Sequence, residues 1–477
     1  MLSYIFHYAI KDYTYHILIF TEKTSMAQNS ATIDMCTGSL PKKMLRFAVP
    51  LILSSLLQLL FNAVDLIVVG QFVDDTAVGA VGSTGALINL ITNLFMGLSV
   101  GSNVLVARYV GSGRREDASE TVHTSIVISV ISGLFLTVIG LLFAKPMLRL
   151  MSSPENVIDQ AALYLKIYFV GMPIMMVYNF GSAILRAIGD TKRPLYYLTA
   201  AGFINVGMNL FFVLVLGRGV DGVAWGTVIS QFVAALLIIR NLLHSETFCK
   251  LEFKKLKITP GKLAGIARIG LPAGVQGCIF SASNVLIQSS VNSFGDAGVS
   301  GSAAAANIEG FVYVSMNAFH HTVLSFTSQN YGAGNYKRIR QTLRYGLLFV
   351  TTVGVALGCT AIFLRYPLLH LYIKGDEALK YGCIRIIAIN SAYFLCGVMD
   401  VTVGSLRGIG FSLIPMFVSL LGVCGFRVAW IFTYFRSHRT MNTLFLSYPI
   451  SWMVTFLAQI TVYFLWRRKN RNAVMLR

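Results

Sequence analysis

Arg46-Phe47-Ala48-Val49-Pro50 is answered 222 residues later by Arg268-Ile269-Gly270-Leu271-Pro272. The same offset carries Asn62 onto Asn284, Gly79 onto Gly301 and Tyr109 onto Tyr331. Further on, Leu185-Arg186-Ala187-Ile188-Gly189 with Pro194 matches Leu406-Arg407-Gly408-Ile409-Gly410 with Pro415, at an offset of 221. Duplication on this scale in a very apolar chain points to a transporter. Two related bundles can enclose a central path and rock against one another.

Of 477 residues, 55% are hydrophobic and 12% charged. A soluble domain carries roughly 25% charged residues, so this chain has too few to cover a surface in water. Apolar runs of about 20 residues, the length that crosses hydrocarbon, recur at 46–72, 82–107, 120–143, 160–184, 194–216, 220–243, 263–292, 303–329, 341–364, 380–404, 411–434 and 444–466. In a bilayer each backbone polar group needs an internal partner, and a long single run finds it as a helix. The expected fold is all-α: a polytopic membrane protein with twelve transmembrane helices in two six-helix bundles.

The one long hydrophilic connection, His244 to Lys262, divides the spans six and six. The expected units are an N-terminal extension (1–38), a first bundle (39–243), a cytoplasmic linker (244–262), a second bundle (263–466) and a basic tail (467–477). An even number of spans per half sets both repeats the same way up. Residues 1–38 fit neither a signal peptide nor a span. They read either as an amphipathic interfacial segment or as sequence upstream of a start at Met26 or Met35.

A net charge of +19 could suggest nucleic acid, but its placement argues against that. With the N-terminus cytoplasmic, 28 Lys and Arg fall on that side, 8 on the other and 3 (Lys166, Arg385, Arg427) within spans. This is the positive-inside asymmetry. It predicts a multi-pass protein of the cytoplasmic membrane with both termini inside. The seven cysteines show no CxxC or metal-ligand spacing and read as small apolar packing residues. No GxxxxGK[ST], HExxH or GxSxG is present and no loop could hold a soluble domain, so neither ATP-driven transport nor an enzyme is expected. No cofactor is expected either. Pro50, Pro173 and Pro272 each predict a kink, with Pro50 as hinge.

Several stretches carry a family likeness. They are Ala48-Val49-Pro50 with Asn62-Ala63-Val64-Asp65, Tyr109-Val110-Gly111-Ser112-Gly113-Arg114, Leu185 to Pro194, Gln329-Asn330-Tyr331-Gly332-Ala333-Gly334-Asn335, and Leu406 to Gly410. In this order and spacing the chain resembles the multidrug and toxic compound extrusion (MATE) family, closer to its DinF-like branch, over about residues 39–470. The resemblance implies two six-helix bundles in a V around a central cavity. It also implies a monomeric antiporter that expels organic, mostly cationic and amphipathic, small molecules across the lipid bilayer against inward H⁺ or Na⁺.

An acid at the bilayer centre costs about 2.5–3.5 kcal/mol on insertion scales, which makes it a functional candidate. Asp65, Glu309 and Asp400 qualify. The resemblance places the cation-site aspartate at Asp65, with companions at Asn205, Asn209 and Thr227, and depth along the spans agrees. Carboxylate, amide and hydroxyl oxygens suit Na⁺, while a carboxyl shielded from water can carry a proton. The same four residues would be the metal ligands if Na⁺ is the coupling ion. Part of the family has a second aspartate where this chain has Asn209, which leaves H⁺ and Na⁺ both open.

The substrate cavity is expected to involve Asn62, Tyr164, Tyr178, Asn179, Glu309, His320 and Asp400. Glu309 and Asp400 have a second reading, pairing with Arg385 or Arg427. His320-His321 reads as a proton relay or as polar packing. Arg186 and Arg407 are expected to bond carbonyls at the ends of their helices. The second half is not a chemical copy of the first. Asp65 maps onto Ile287, Glu309 onto Leu87 and Asp400 onto Asn179, and the Phe280-Ser281 region has no glutamate. A flippase for a lipid-linked saccharide or lipid is the alternative within the wider superfamily. It would need a basic groove open to the bilayer, whereas intramembrane charge here leans acidic. A channel fits the duplication poorly.

Overall fold

The computed structural model describes residues 32–73, 75–150, 155–247 and 249–469. Regular structure among them is helical throughout. The first bundle comprises α1 (Leu40–Phe72), α2 (Asp75–Gly111), α3 (Arg115–Leu150), α4 (Glu155–Val170), α5 (Met172–Ala187), α6 (Lys192–Leu210) and α7 (Val220–Leu243). The second comprises α8 (Pro260–Asn292), α9 (Gly295–Gly332), α10 (Tyr336–Phe363), α11 (Arg365–His370), α12 (Asp376–Asn390), α13 (Phe394–Gly408), α14 (Leu413–Ser419), α15 (Phe426–Phe432), α16 (Tyr434–Ser437) and α17 (Met441–Lys469). Residues 1–31 and 470–477, with the readings placed on them, lie outside the described residues.

Among the described residues, nine helical segments are long and apolar enough to cross a membrane. Two bent pairs, α4–α5 and α12–α13, supply one span each. The twelfth, α9, has the length (38 residues) but not the hydropathy. Its polar residues Glu309, His320, Thr322, Ser325, Thr327, Ser328, Gln329 and Asn330 are buried inside the protein, so apolar character is not what holds it in place. The expected twelve spans are all present.

The bends fall only partly where proline predicted them. The 51° break between α4 and α5 lies at Gly171, with Pro173 in the first turn of α5. By contrast α1 runs unbroken through Pro50 and α8 through Pro272, as α3 and α17 do through Pro146 and Pro449. The 45° break between α12 and α13 contains no proline, so sequence offered no signal for it.

Helix α1 begins and α17 ends at one end of the molecule, where Tyr336 and Trp466 lie ring to ring at 6.4 Å. We call this end proximal. The bundles join along α2 and α8, which cross on two facing Gly-x-x-x-Gly patterns, Gly97/Gly101 and Gly270/Gly274. A Cβ on any of the four would meet the opposite backbone. Small residues at four-residue spacing allow such close approach in a membrane, where packing rather than hydrophobicity joins helices. Asn93 Nδ2 donates to Ser281 Oγ at 3.2 Å, Ser325 Oγ to Asn103 Oδ1 at 3.1 Å, and Gln329 Nε2 to the Ala187 carbonyl at 2.8 Å. Lys262 pairs with Asp117 and Glu120 across the proximal end. All these contacts lie at or below the level of Leu90 and Ser281. The bundles therefore close together proximally and part distally, as a V.

A strap reinforces the closed end. Arg338, at the start of α10, donates to the carbonyls of Met35 (2.8 Å), Thr37 (2.6 Å) and Gly38 (3.0 Å). The Ile33 N–H reaches the Gly189 carbonyl of the first bundle at 3.1 Å. Residues 33–38 thus tie one bundle to the other.

Candidate functional site

Asp65 sits on α1 with the side chain 6% exposed, within the first bundle. Asn209 Nδ2 donates to its Oδ1 at 2.5 Å, and Thr227 Oγ1 lies 3.4 Å from its Oδ2. Asn205 completes the group, with Nδ2 3.4 Å from Thr227 Oγ1 and Oδ1 3.4 Å from Asn209 Nδ2. All four residues singled out from sequence meet in one place. Asn205 and Asn209 do so because a spacing of four sets them on one face of α6. Thr227 reaches them because α7 packs against α6.

The arrangement suits a small cation or a proton. Two Asp65 oxygens, Asn205 Oδ1 and Thr227 Oγ1 gather here, while Asn209 Oδ1 faces Gly226 and is buried without a partner among the described residues. No cluster of three or more His, Cys, Asp or Glu occurs among the described residues.

Asp65 forms part of the wall of a cavity of about 310 Å³ whose lining comes entirely from the first bundle. Asn62, Tyr164, Tyr178 and Asn179 line it too. Sequence reasoning missed Gln58, Phe61, Asn89, Thr92, Asn93, Tyr168, Gln231 and the methionines Met96, Met172, Met175 and Met176. For span two a signal existed, since Asn89, Thr92 and Asn93 share one helical face at i, i+3 and i+4. Asp65 is the one charged residue in this lining. Tyr164 and Tyr168 stack beside it at 6.1 Å between ring centroids.

Glu309, His320 and Asp400 do not line this cavity. The Glu309 carboxylate is engaged by Arg385, with Nη2 at 2.8 Å and Nε at 3.0 and 3.3 Å, the pairing that was its second reading. His320 Nδ1 meets the Asp400 backbone carbonyl at 2.6 Å and ties α9 to α13, which is packing. The Asp400 carboxylate has no ion-pair partner among the described residues, though Arg407 is within electrostatic reach. Neither Arg186 nor Arg407 bonds a helix-end carbonyl among them. Arg407 Nη2 donates instead to Gln276 Oε1 on α8 at 2.8 Å.

The MatE family model matches residues 50–211 and 272–433, one match in each half. The chain is 29% identical over 442 residues to the probable multidrug resistance protein YoeA of Bacillus subtilis, covering 90% of this chain and 95% of that protein. A second relative, the probable multidrug resistance protein YpnP of the same organism, is 26% identical over 393 residues, 81% of this chain and 87% of that one. Among solved structures, a multidrug resistance MATE family transporter of the MOP superfamily in an outward-facing conformation superimposes with a TM-score of 0.83. It does so at 22% identity over 93% of this chain and 98% of its own. With both repeats matched, the chain belongs to the MatE family of multidrug efflux transporters.

Proposed function

We propose that this protein is an ion-coupled antiporter that exports amphipathic organic cations by alternating access, with Asp65 as the site where the coupling ion exchanges. One observation supports this reading most. A single carboxylate, gripped by Asn209 and Thr227, stands in the wall of an otherwise uncharged cavity rich in Tyr, Met and amide groups. Flat and flexible side chains suit varied aromatic cations, and one negative charge suits one positive centre.

The lysine and arginine asymmetry sets the closed proximal end in the cytoplasm, so the cavity faces outward. In this reading H⁺ or Na⁺ enters from outside and binds among Asp65, Asn205, Asn209 and Thr227. Neutralising Asp65 removes its attraction for the substrate cation, which leaves outward. The neutral, dehydrated site then lets the bundles close distally and open proximally. There the ion dissociates and new substrate restores the outward state. Return to that state re-forms the α2–α8 crossing and the strap.

The test is transport of a fluorescent organic cation by the purified protein in proteoliposomes, with a pH or Na⁺ gradient imposed separately. Wild type should respond to one of them, and Asp65→Asn should lose the response while remaining folded. Undiminished gradient-driven transport by Asp65→Asn would remove this residue from the mechanism.

A further inference from the structure

The second bundle repeats the architecture around Asp65 without its acid. The counterpart of Asp65 is Ile287, apolar and 2% exposed. At the offset of 221, Tyr164 becomes Arg385 and Thr227 becomes Tyr448. Arg385 therefore stands, on the bent tenth span, where the first bundle has the cavity tyrosine beside Asp65. It is fully engaged there. Its Nε and Nη2 grip both oxygens of Glu309 at 2.8–3.3 Å, and Nη1 donates to Ser302 Oγ at 2.6 Å. The guanidinium also stacks over Phe445 at 5.1 Å.

A second guanidinium, that of Arg427, lies 3.9 Å from the ring centre of Tyr448 and donates from Nε to Ser451 Oγ at 3.1 Å. Arginine stays protonated under all ordinary conditions, and its planar fork matches a carboxylate at two points. Positive charge in this bundle is thus covalently attached and cannot leave.

We propose that Arg385 is a resident cation that occupies, in the second bundle, the place where the first bundle exchanges its coupling ion. Glu309 is thereby neutralised permanently, and a single ion-binding site, in the first bundle, drives each cycle. The inference rests on the proposed role of Asp65 and adds to it the number of exchanging sites and the residue that suppresses the second one. Removing the guanidinium should expose Glu309 as a latent carboxylate site for H⁺ or Na⁺.

The experiment uses the full-length protein in proteoliposomes and two readouts. The first is the coupling ratio, ions moved per substrate, from the gradient at which net transport reverses. The second is the shift in thermal unfolding between Na⁺-free and Na⁺-containing buffer, and across pH. The double variant Glu309→Gln/Arg385→Gln removes both partners together and leaves no buried charge alone. It should keep the wild-type ratio. In an Asp65→Asn background the ion-dependent thermal shift should vanish. Adding Arg385→Gln should restore one, and further adding Glu309→Gln should abolish it again.

An approximately twofold fall in the coupling ratio of the double variant, as expected for loss of one of two exchanging sites, overturns the proposal. So does an ion-dependent shift that survives Asp65→Asn but is lost with Glu309→Gln. So does a folded Asp65→Asn/Arg385→Gln protein that gains no shift. The two readings fail separately. Undiminished ion-driven transport in Asp65→Asn removes the first-bundle site, whereas an altered ratio in the double variant removes the fixed-cation assignment.

Discussion

A methyl group on Gly226 would collide with the amide of Asn209, the donor that holds Asp65. Gly226→Ala should therefore push Asn209 off the carboxylate without touching Asp65 itself. A hydrogen bond to a charged group is worth about 1.5–3 kcal/mol, and this one holds the carboxylate in its charged, ion-free form, so the coupling-ion concentration that half-saturates transport should fall on the order of 10- to 100-fold. Gly207→Ala, on the same helix as Asn205 and Asn209 but with open space at its Cβ, is the control and should match wild type. Equal half-saturation in the two variants would show that Asn209 does not set ion affinity. The neighbours of Asp65 were legible in the sequence because depth along a helix follows from residue count. Gly226 was not. A glycine in a span gives no sign of what it makes room for until its partner is known, and the same holds for Gly202 beneath the ring of Phe61.

The crossing of α2 and α8 and the strap at residues 33–38 act differently on the proximal seam, and each can be broken alone. Gly270→Leu places a branched side chain where Leu98 and the carbonyl of Gly97 stand. Overpacking costs about 1–3 kcal/mol in ordinary cores. Here backbone faces backbone and cannot repack, so the melting temperature should fall clearly. An unchanged melting temperature would mean that the bundles do not depend on this contact. Arg338→Ala is milder, since it frees three carbonyls near water and leaves the helices intact. Its reporter is native Cys36, half-buried in the strap. Burial, with the nearby Asp34, pushes the Cys36 thiol above its ordinary range against the pull of Arg338 and Lys43. Less thiolate is then present at neutral pH. Peptide-level alkylation of Cys36 should be slow in wild type and faster in Arg338→Ala, and identical rates would argue that the strap is held by other contacts. The helices themselves were readable from apolar length, α9 included as the run 303–329, although its hydropathy alone would not mark it as a span. That helix is polar because protein surrounds it, and hydropathy cannot distinguish a protein-lined environment from water. The bend between α12 and α13 was hidden for a related reason: no proline or glycine breaks the chain there, so packing alone sets it.

At the scale of the whole molecule, duplication set the architecture and divergence set the chemistry. The offset of 222 predicted two alike bundles, and they are alike. Charge was read at single positions such as Ile287 and Leu87, whereas the meeting of Arg385 with Glu309, 76 residues apart, was one of two readings of Glu309 in the sequence, and the packing of α9 against α12 brings the two together. A rocking mechanism demands that the proximal seam part in every cycle. Asn103 on α2 and Ser325 on α9 touch across it through their side chains at 3.1 Å. Replacing both with cysteine, in a protein whose native cysteines are first replaced, gives a pair that oxidation can join. The bond should form readily, hold the bundles closed at this end, and stop transport of a fluorescent cation until a reductant is added. Each single cysteine variant should be insensitive to the oxidant. Transport that continues at the wild-type rate with the cross-link fully formed would mean that the seam does not open here. The path for substrate would then have to run within the first bundle alone, past Asp65, with the second bundle serving only as a rigid support.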